Sequence, residues 1–466
     1  MSKTVKIEIG HVKKRLKPYP SYKDSGIEWL GEIPTHWDIA RLKSTIDGCQ
    51  NGIWGEDPTG NDDDVVCVRV ADFDRVRAKV NLNDPTRRRI PFSQLENRSL
   101  SPGDLLLEKS GGGEQQPVGA VVLYDHKAPA VCSNFIARVR VNNDHEPGFL
   151  CYLHNVLYST RLNIRSIKQS TGIQNLDSNS YFNEYVALPD LTEQRSINSF
   201  LDRETAKIDA LIAKRERLIE LLNEKRMALI NQAVTKGLEP NVPMKDSGVE
   251  WLGEIPAHWD TTFLDKLIDP LRRITYGIVQ PGEPDPDGIP MVRGQNYSRG
   301  WSPLDEIFRV SPAIEAPYRR ARLKPDDIVM TIVGAGTGNV AIVPDWLAGA
   351  NLTQTTARIA LDMRRGNNRY FAYQLQSVVG TVSVELTVKG AAQPGLNLGH
   401  IAKYRVVVPP VSEEERIADF LDSKTARFDG LIAKVRDAID RLKELRTGII
   451  SAAVTGKIDV REEVAS

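Results

Sequence analysis

The sequence predicts an α+β protein: two mixed α/β domains separated by two long antiparallel helices that form a coiled coil, with pseudo-twofold symmetry. Three observations predict it. A sixteen-residue phrase occurs twice, a charged proline-free segment occurs twice, and each intervening stretch carries short apolar runs broken by glycine turns.

The phrase is "KDSGIEWLGEIPTHWD" from Lys23 and "KDSGVEWLGEIPAHWD" from Lys245. Only Ile27/Val249 and Thr35/Ala257 differ. It holds Trp29, Trp37, Trp251 and Trp259, four of the seven tryptophans. Those rings are expected to be core anchors, with a partner-docking surface as the alternative. His36 and His258 sit inside the repeated "HWD" and are expected to be structural hydrogen bonders rather than catalysts.

The second repeat is "FLDRETAKIDALIAKRERLIELLNEKRMALINQAVT" from Phe200, matched from Phe420 by "FLDSKTARFDGLIAKVRDAIDRLKELRTGIISAAVT" with 18 identities in 36 positions. Strong helix formers dominate both segments and proline is absent. Leu201, Thr205, Ile208, Ile212, Arg215, Ile219, Leu222, Arg226, Leu229 and Ala233 step by four and three, a heptad seam. The partner seam is Leu421, Thr425, Phe428, Ile432, Val435, Ile439, Leu442, Arg446, Ile449 and Ala453. Two seams this alike are expected to pack together; the alternative is two helices lying separately on their own domains. Roughly 40 residues make a rod of about 60 Å.

The expected organisation is a first domain over residues 1–187 with its motif at 22–38, and a first helix over 188–240. A second domain follows over 241–408 with its motif at 244–260, then a second helix over 409–466. A spacing above 200 residues indicates duplication of a whole unit, not a solenoid.

Inside the domains, "SPGDLLLEKSGGGEQQPVGAVVLYD" from Ser101 resembles "KPDDIVMTIVGAGTGNVAIVPD" from Lys324. Each reads as strand, glycine turn, strand. Gly334, Gly336 and Gly338 are spaced G-x-G-x-G and lead into a strand-like run, so a hairpin is expected and a dinucleotide site is not.

Composition sets further bounds. Lys+Arg and Asp+Glu are 61 each, so the total charge favours no nucleic-acid role and excludes none. Arginine outnumbers lysine 13 to 3 over residues 271–405 and 11 to 4 over 51–187. Guanidinium groups suit guanine O6/N7 and phosphate; the Arg87–Arg88–Arg89 cluster is equally compatible with a solvated face. Cys49, Cys67, Cys132 and Cys151 form no C-x-x-C pair, so free thiols in a reducing cytoplasm are expected and a metal site is not. No secretory signal or membrane span is read. P-loop, H-E-x-x-H, G-x-S-x-G and the Asn/Asp-Pro-Pro tetrapeptide of amino-methyltransferases are all absent.

With these motifs together, the chain resembles the specificity subunit of type I restriction-modification systems. "KDSG[IV]EWLGEIP.HW", "EQ..I..FLD..TA.ID.LI.K" and "AVT.G" carry the resemblance, and the order motif–block–helix occurs twice over essentially the whole chain. Glu414 departs from the pattern where Gln194 stands in the first half, a change expected to be harmless.

The resemblance implies that each block is a target recognition domain reading one half of a bipartite asymmetric site in double-stranded DNA. It implies helices that fix the spacer and dock two methyltransferase subunits, with restriction/motor subunits joining. It implies no catalysis, metal or cofactor in this chain; S-adenosylmethionine belongs to the methylase partners, and ATP and Mg to the restriction partners. It also implies a cytoplasmic location and no membrane partner. Half-sites one turn apart are separated by ~34 Å.

Polar residues after matched strands are the candidate DNA contacts. They are Arg69, Lys109, Ser110, Gln115, Gln116 and Gln174 in the first block, and Arg293, Gln295, Asn296, Gln354, Lys389 and Gln393 in the second. A duplicated protein-binding scaffold without DNA recognition is the leading alternative, and a self-contained methyltransferase the second.

Overall fold

The structure, a computed structural model, describes residues 5–9, 12–60, 64–170, 172–298, 300–334, 336–388 and 395–464. The chain divides into two compact units. The first comprises residues 1–215 and 437–466, the second residues 216–436.

Two long helices supply parts of both units. The first runs Leu191–Lys236 and the second Val411–Val454, 46 and 44 residues. At 1.5 Å per residue they measure about 69 and 66 Å. Both start upstream of the Phe200 and Phe420 repeats. Every residue of the second seam is buried or half-buried, as is every residue of the first. Each helix ends on a glycine with positive φ, Gly237 at 78° and Gly456 at 71°. After Gly456, Lys457 N donates to Ala452 O at 2.8 Å, a Schellman closure.

The helices pack on each other, and the direction is visible within each unit. In the first unit Ile197, Phe200 and Leu201 share a core with Ile449, Ala453 and Val454. Further along, Arg446 Nε donates to Asp209 Oδ1 at 3.0 Å. Rising numbers on one helix meet falling numbers on the other, so the pair is antiparallel. In the second unit Ile230, Ala233 and Val234 meet Ile417, Ala418 and Leu421. There Arg226 pairs with Asp429 at 3.5 Å. The arginines that share a seam position in the sequence thus each hold an aspartate of the opposite helix.

The repeated phrase closes the helix ends. Trp37 and Trp259 are fully buried. Trp37 Nε1 and His36 Nε2 bond the two carboxylate oxygens of Glu193 at 3.2 and 2.8 Å. Tyr19 Oη donates to the same carboxylate at 2.6 Å. In the second unit Trp259 Nε1 and His258 Nε2 bond Glu413 Oε2 at 3.1 and 2.9 Å. Glu193 and Glu413 lie in the first turns of the long helices, where the helix dipole favours negative charge. The indole also packs on the glycine that ends the other helix. A Cβ on Gly456 would meet Pro34 and Trp37, and one on Gly237 would meet Trp259. Each phrase therefore binds one helix start and one helix end, which explains its occurrence twice.

Glu414 is not a harmless exchange. Gln194 is fully partnered: its Oε1 accepts from Glu146 N, and its Nε2 donates to Pro189 O and contacts His145 Nδ1. Glu414 is fully buried, accepts from Asn367 N at 2.7 Å, and leaves Oε1 without a hydrogen bond. Burial pushes its carboxyl up to about 7.

The first block builds on strand β1 (Asp64–Val68), flanked by Arg87–Arg89 and Ala130–Cys132. Strand β2 (Leu105–Glu108) lies inside a six-stranded sheet, antiparallel to Val121–Leu123 and to Ile136–Val141. Beyond it β3 (Ser110–Gly111) pairs with β4 (Ile173–Leu176). The second block repeats the plan. Strand β5 (Ile289–Val292) sits between Arg309–Val310 and Asn351–Leu352, and β6 (Ile328–Thr331) pairs antiparallel with Val340–Ile342. Both glycine-rich stretches are thus hairpin connections. Gly111 and Gly334 have φ of 111° and 103°, which an L side chain rarely adopts.

Candidate nucleic-acid interface

In each block the residue that follows the central strand of the three-stranded sheet is an arginine. Arg69 follows β1 and Arg293 follows β5. The backbone is extended at both, with φ, ψ of −105°, 164° and −115°, 156°. A side chain three residues on bonds the arginine's own amide: Asp72 Oδ2 at 2.7 Å and Asn296 Oδ1 at 2.9 Å. The return bonds, Asp72 N to Arg69 O and Asn296 N to Arg293 O, are both 2.9 Å. These closed turns fix where the arginine side chain leaves the fold.

The guanidinium groups are then held differently. Arg69 Nε and Nη2 donate to Asp72 at 3.3 and 2.8 Å. Arg293 lies 4.2 Å above the Phe308 ring, within cation–π range.

Around Arg69 the structure gathers several other candidates. A cleft of about 470 Å³ is lined by Trp54, Arg69, Ser110, Ser133, Asn134 and Phe135, among others. A neighbouring cleft of about 660 Å³ is lined by Arg75, Glu108, Gln115 and Gln116, among others. Gln115 and Gln116 are exposed. Lys109 Nζ donates to Asn51 Oδ1 at 2.9 Å, and Ser110 Oγ to Asn175 Oδ1 at 2.5 Å. The Glu108 carboxylate borders both clefts, buried and bonded by Arg75 at 2.8 Å. Burial drives its pKa up while the Arg75 charge opposes the rise.

Two candidates face inward. Gln174 is buried, and its Oε1 accepts from Val118 N at 3.3 Å. Asn296 is buried, and it braces the Arg293 turn and reaches Ser302 Oγ at 3.4 Å. Gln295 and Gln354 are exposed. Lys389 and Gln393 lie outside the described residues.

Sequence reading missed two side chains here, and the partners of the arginine cluster. Trp54 and Phe135 are exposed aromatics at the Arg69 cleft, 39% and 44% accessible. Arg88 stacks 4.6 Å over Trp54 and pairs with Asp57 at 2.5 Å. The signal was the acidic pair in "IWGEDP", which supplies counter-charges for two of the clustered arginines: Glu56 lies 3.7 Å from Arg89.

No group of His, Cys, Asp or Glu that could hold a metal ion occurs among the described residues. The four thiols are unpaired. Burial pushes Cys67 up to about 11 and Cys132 to about 12, away from nucleophilic thiolate character. No helix of the described residues is long and apolar enough to cross a membrane.

Comparison with known proteins agrees with this frame. A chain from a structural study of the complex assembly and conformational transition of the type I R-M system superposes with a TM-score of 0.66 at 17% identity, covering 91% of this chain and 98% of that one. The two chains therefore share a fold. Residues 287–441 match the family model of the type I restriction modification DNA specificity domain. The EcoBI specificity subunit of Escherichia coli is 26% identical over 71% of this chain and 70% of its own length. A putative MjaX specificity subunit of Methanocaldococcus jannaschii is 22% identical over 93% and 96%. The chain is thus similar to type I restriction-modification specificity subunits, and residues 287–441 carry the family's DNA specificity domain.

Proposed function

We propose that this chain is the DNA-recognition subunit of a type I restriction-modification complex, each block reading one half of a bipartite asymmetric site. The long helices set the spacer and dock two methyltransferase subunits, and restriction subunits join that assembly. The chain itself is non-catalytic. Its partners supply S-adenosylmethionine chemistry, ATP and Mg. Its own work is to hold the duplex while a target base is turned out into a partner's pocket.

One observation carries this reading: the frame repeats while the loops do not. The clamp of Trp, His and Glu is the same chemistry in both units. At the matched hairpins, Glu108, Lys109 and Ser110 in one block correspond in sequence to Thr331, Ile332 and Val333 in the other. Identical frames suit identical partners, and unlike loops suit unlike half-sites. Outward groups, namely Arg69, Lys109, Ser110, Gln115, Gln116, Arg293, Gln295 and Gln354, are the proposed DNA contacts. Phosphate bonds would position the duplex and base-edge bonds would select it.

Filter binding of duplex DNA by this chain with its partner methylase tests the reading. Retention that salt weakens, and that specific duplex resists better than random duplex, is expected. Retention of protein partners without DNA would instead support a duplicated scaffold.

A further inference from the structure

We propose that Arg69 and Arg293 are matched guanine readers, one in each half-site, with Asp72 and Phe308 as their positioning residues. The proposal rests on the DNA-reading function and goes beyond it by assigning a base and two distinct electrostatic designs.

Both arginines leave equivalent closed turns after equivalent strands, so the fold delivers the same group at the same place in each block. Guanine O6 and N7 form an acceptor pair that a guanidinium edge fits with two hydrogen bonds. Such a contact needs a fork that is already aimed, because a free arginine loses rotamer freedom on binding. Each block provides the aim.

In the first, Nε and Nη2 of Arg69 are spent on buried Asp72. The Nη1 hydrogens and the second Nη2 hydrogen remain for a base. The Arg69 side chain is 38% accessible and borders the cleft that contains Trp54 and Phe135. In the second, the Arg293 guanidinium carbon lies 4.2 Å from the Phe308 ring centroid, a contact that uses none of its N–H donors. No acidic side chain pairs with Arg293 among the described residues.

The two designs differ in net charge. Arg69 with Asp72 is a neutral pair: it selects guanine without adding general attraction for the backbone. Arg293 carries an unneutralised charge, so it selects guanine and also strengthens binding to any duplex. The residue three positions on decides the difference, Asp72 in one block and Asn296 in the other.

Selection from a randomised duplex pool tests this, using the full chain assembled with its methyltransferase partner. Wild type is compared with R69K, R293K and D72N, each checked for wild-type melting. Lysine keeps the charge but lacks the planar fork that lets one edge or face be held by Asp72 or Phe308 while another edge meets the base. R69K is expected to relax preference for a single guanine roughly 10- to 100-fold in one half-site, and R293K to do so in the other half-site. R293A should also flatten the salt dependence of random-duplex binding by about one unit of log–log slope, while the double change R69A/D72A, which removes a neutral pair, should leave it unchanged. D72N should lose the guanine preference of its half-site and steepen the salt dependence, which a merely structural aspartate would not do. An unchanged consensus in R69K and R293K, with a clear wild-type consensus, would overturn this assignment and leave the DNA-reading function standing. No consensus from wild type would overturn both.

Discussion

Replacing Glu414 by glutamine should stabilise the second unit at alkaline pH and barely change it in acid. The buried carboxyl stands at about 7 in the fold against an ordinary 4.5, raised first by burial. The charged groups beside it are Glu413 and Glu415 on its own helix, and the Tyr370 ring faces it from helix α1 (Asn368–Gln376). None of these offers a positive charge. A carboxyl with a raised folded pKa favours the fold fully below the unfolded value and loses that advantage as pH rises to the folded value. About 2.5 units at 1.36 kcal/mol each gives a penalty of about 3 kcal/mol at pH 8, against less than about 1 kcal/mol at pH 5.

Glutamine carries no such penalty. By analogy with Gln194, its amide would donate to the Pro409 carbonyl while its oxygen keeps the Asn367 amide. Urea unfolding at pH 5 and pH 8, read together with hydrogen exchange of the Asn367 amide, measures both the size and the place of the effect. The reciprocal Gln194→Glu change should bring the same pH-dependent loss into the first unit. A gain for Glu414→Gln that is equal at both pH values, or a loss at pH 8, would refute the reasoning.

Three other outcomes are expected. Glu413→Ala leaves Trp259 Nε1 buried without its acceptor, so local stability at the start of the second helix should fall by about 1–3 kcal/mol, measured by hydrogen exchange. Arg293→Ala should weaken specific duplex binding by about 1–3 kcal/mol in a titration, more than it weakens random duplex. Deleting Leu211–Arg217 and Leu431–Asp437 together keeps the heptad phase and should shorten the preferred DNA spacer, read by binding to duplexes of graded spacer length; an unchanged optimum would refute the ruler role.

The frame was legible because it is written twice and follows simple periods. Steps of four and three marked the seam from Leu201 to Ala233, and burial follows them. The glycine turns at Gly111 and Gly334 were equally plain. Polar partners were not. His36 and Trp37 find Glu193 over 150 residues away, and no local pattern announces it. Glu414 looked interchangeable with glutamine because its cost arises only from burial. Gln174 and Asn296 have the chemistry of base readers but are used inside the fold: Gln174 accepts from the distant Val118 amide, and Asn296 closes the Arg293 turn. The clefts beside Arg69 escaped notice because Trp54 and Phe135 come from separate loops.

Methylome sequencing of a host that expresses this chain with its methylase, with and without this gene, addresses the central claim most directly. Two unlike readers on one repeated frame predict a split, asymmetric motif with a modified base in each half, present only when the gene is present. A continuous or palindromic motif, or methylation indifferent to the gene, would contradict it.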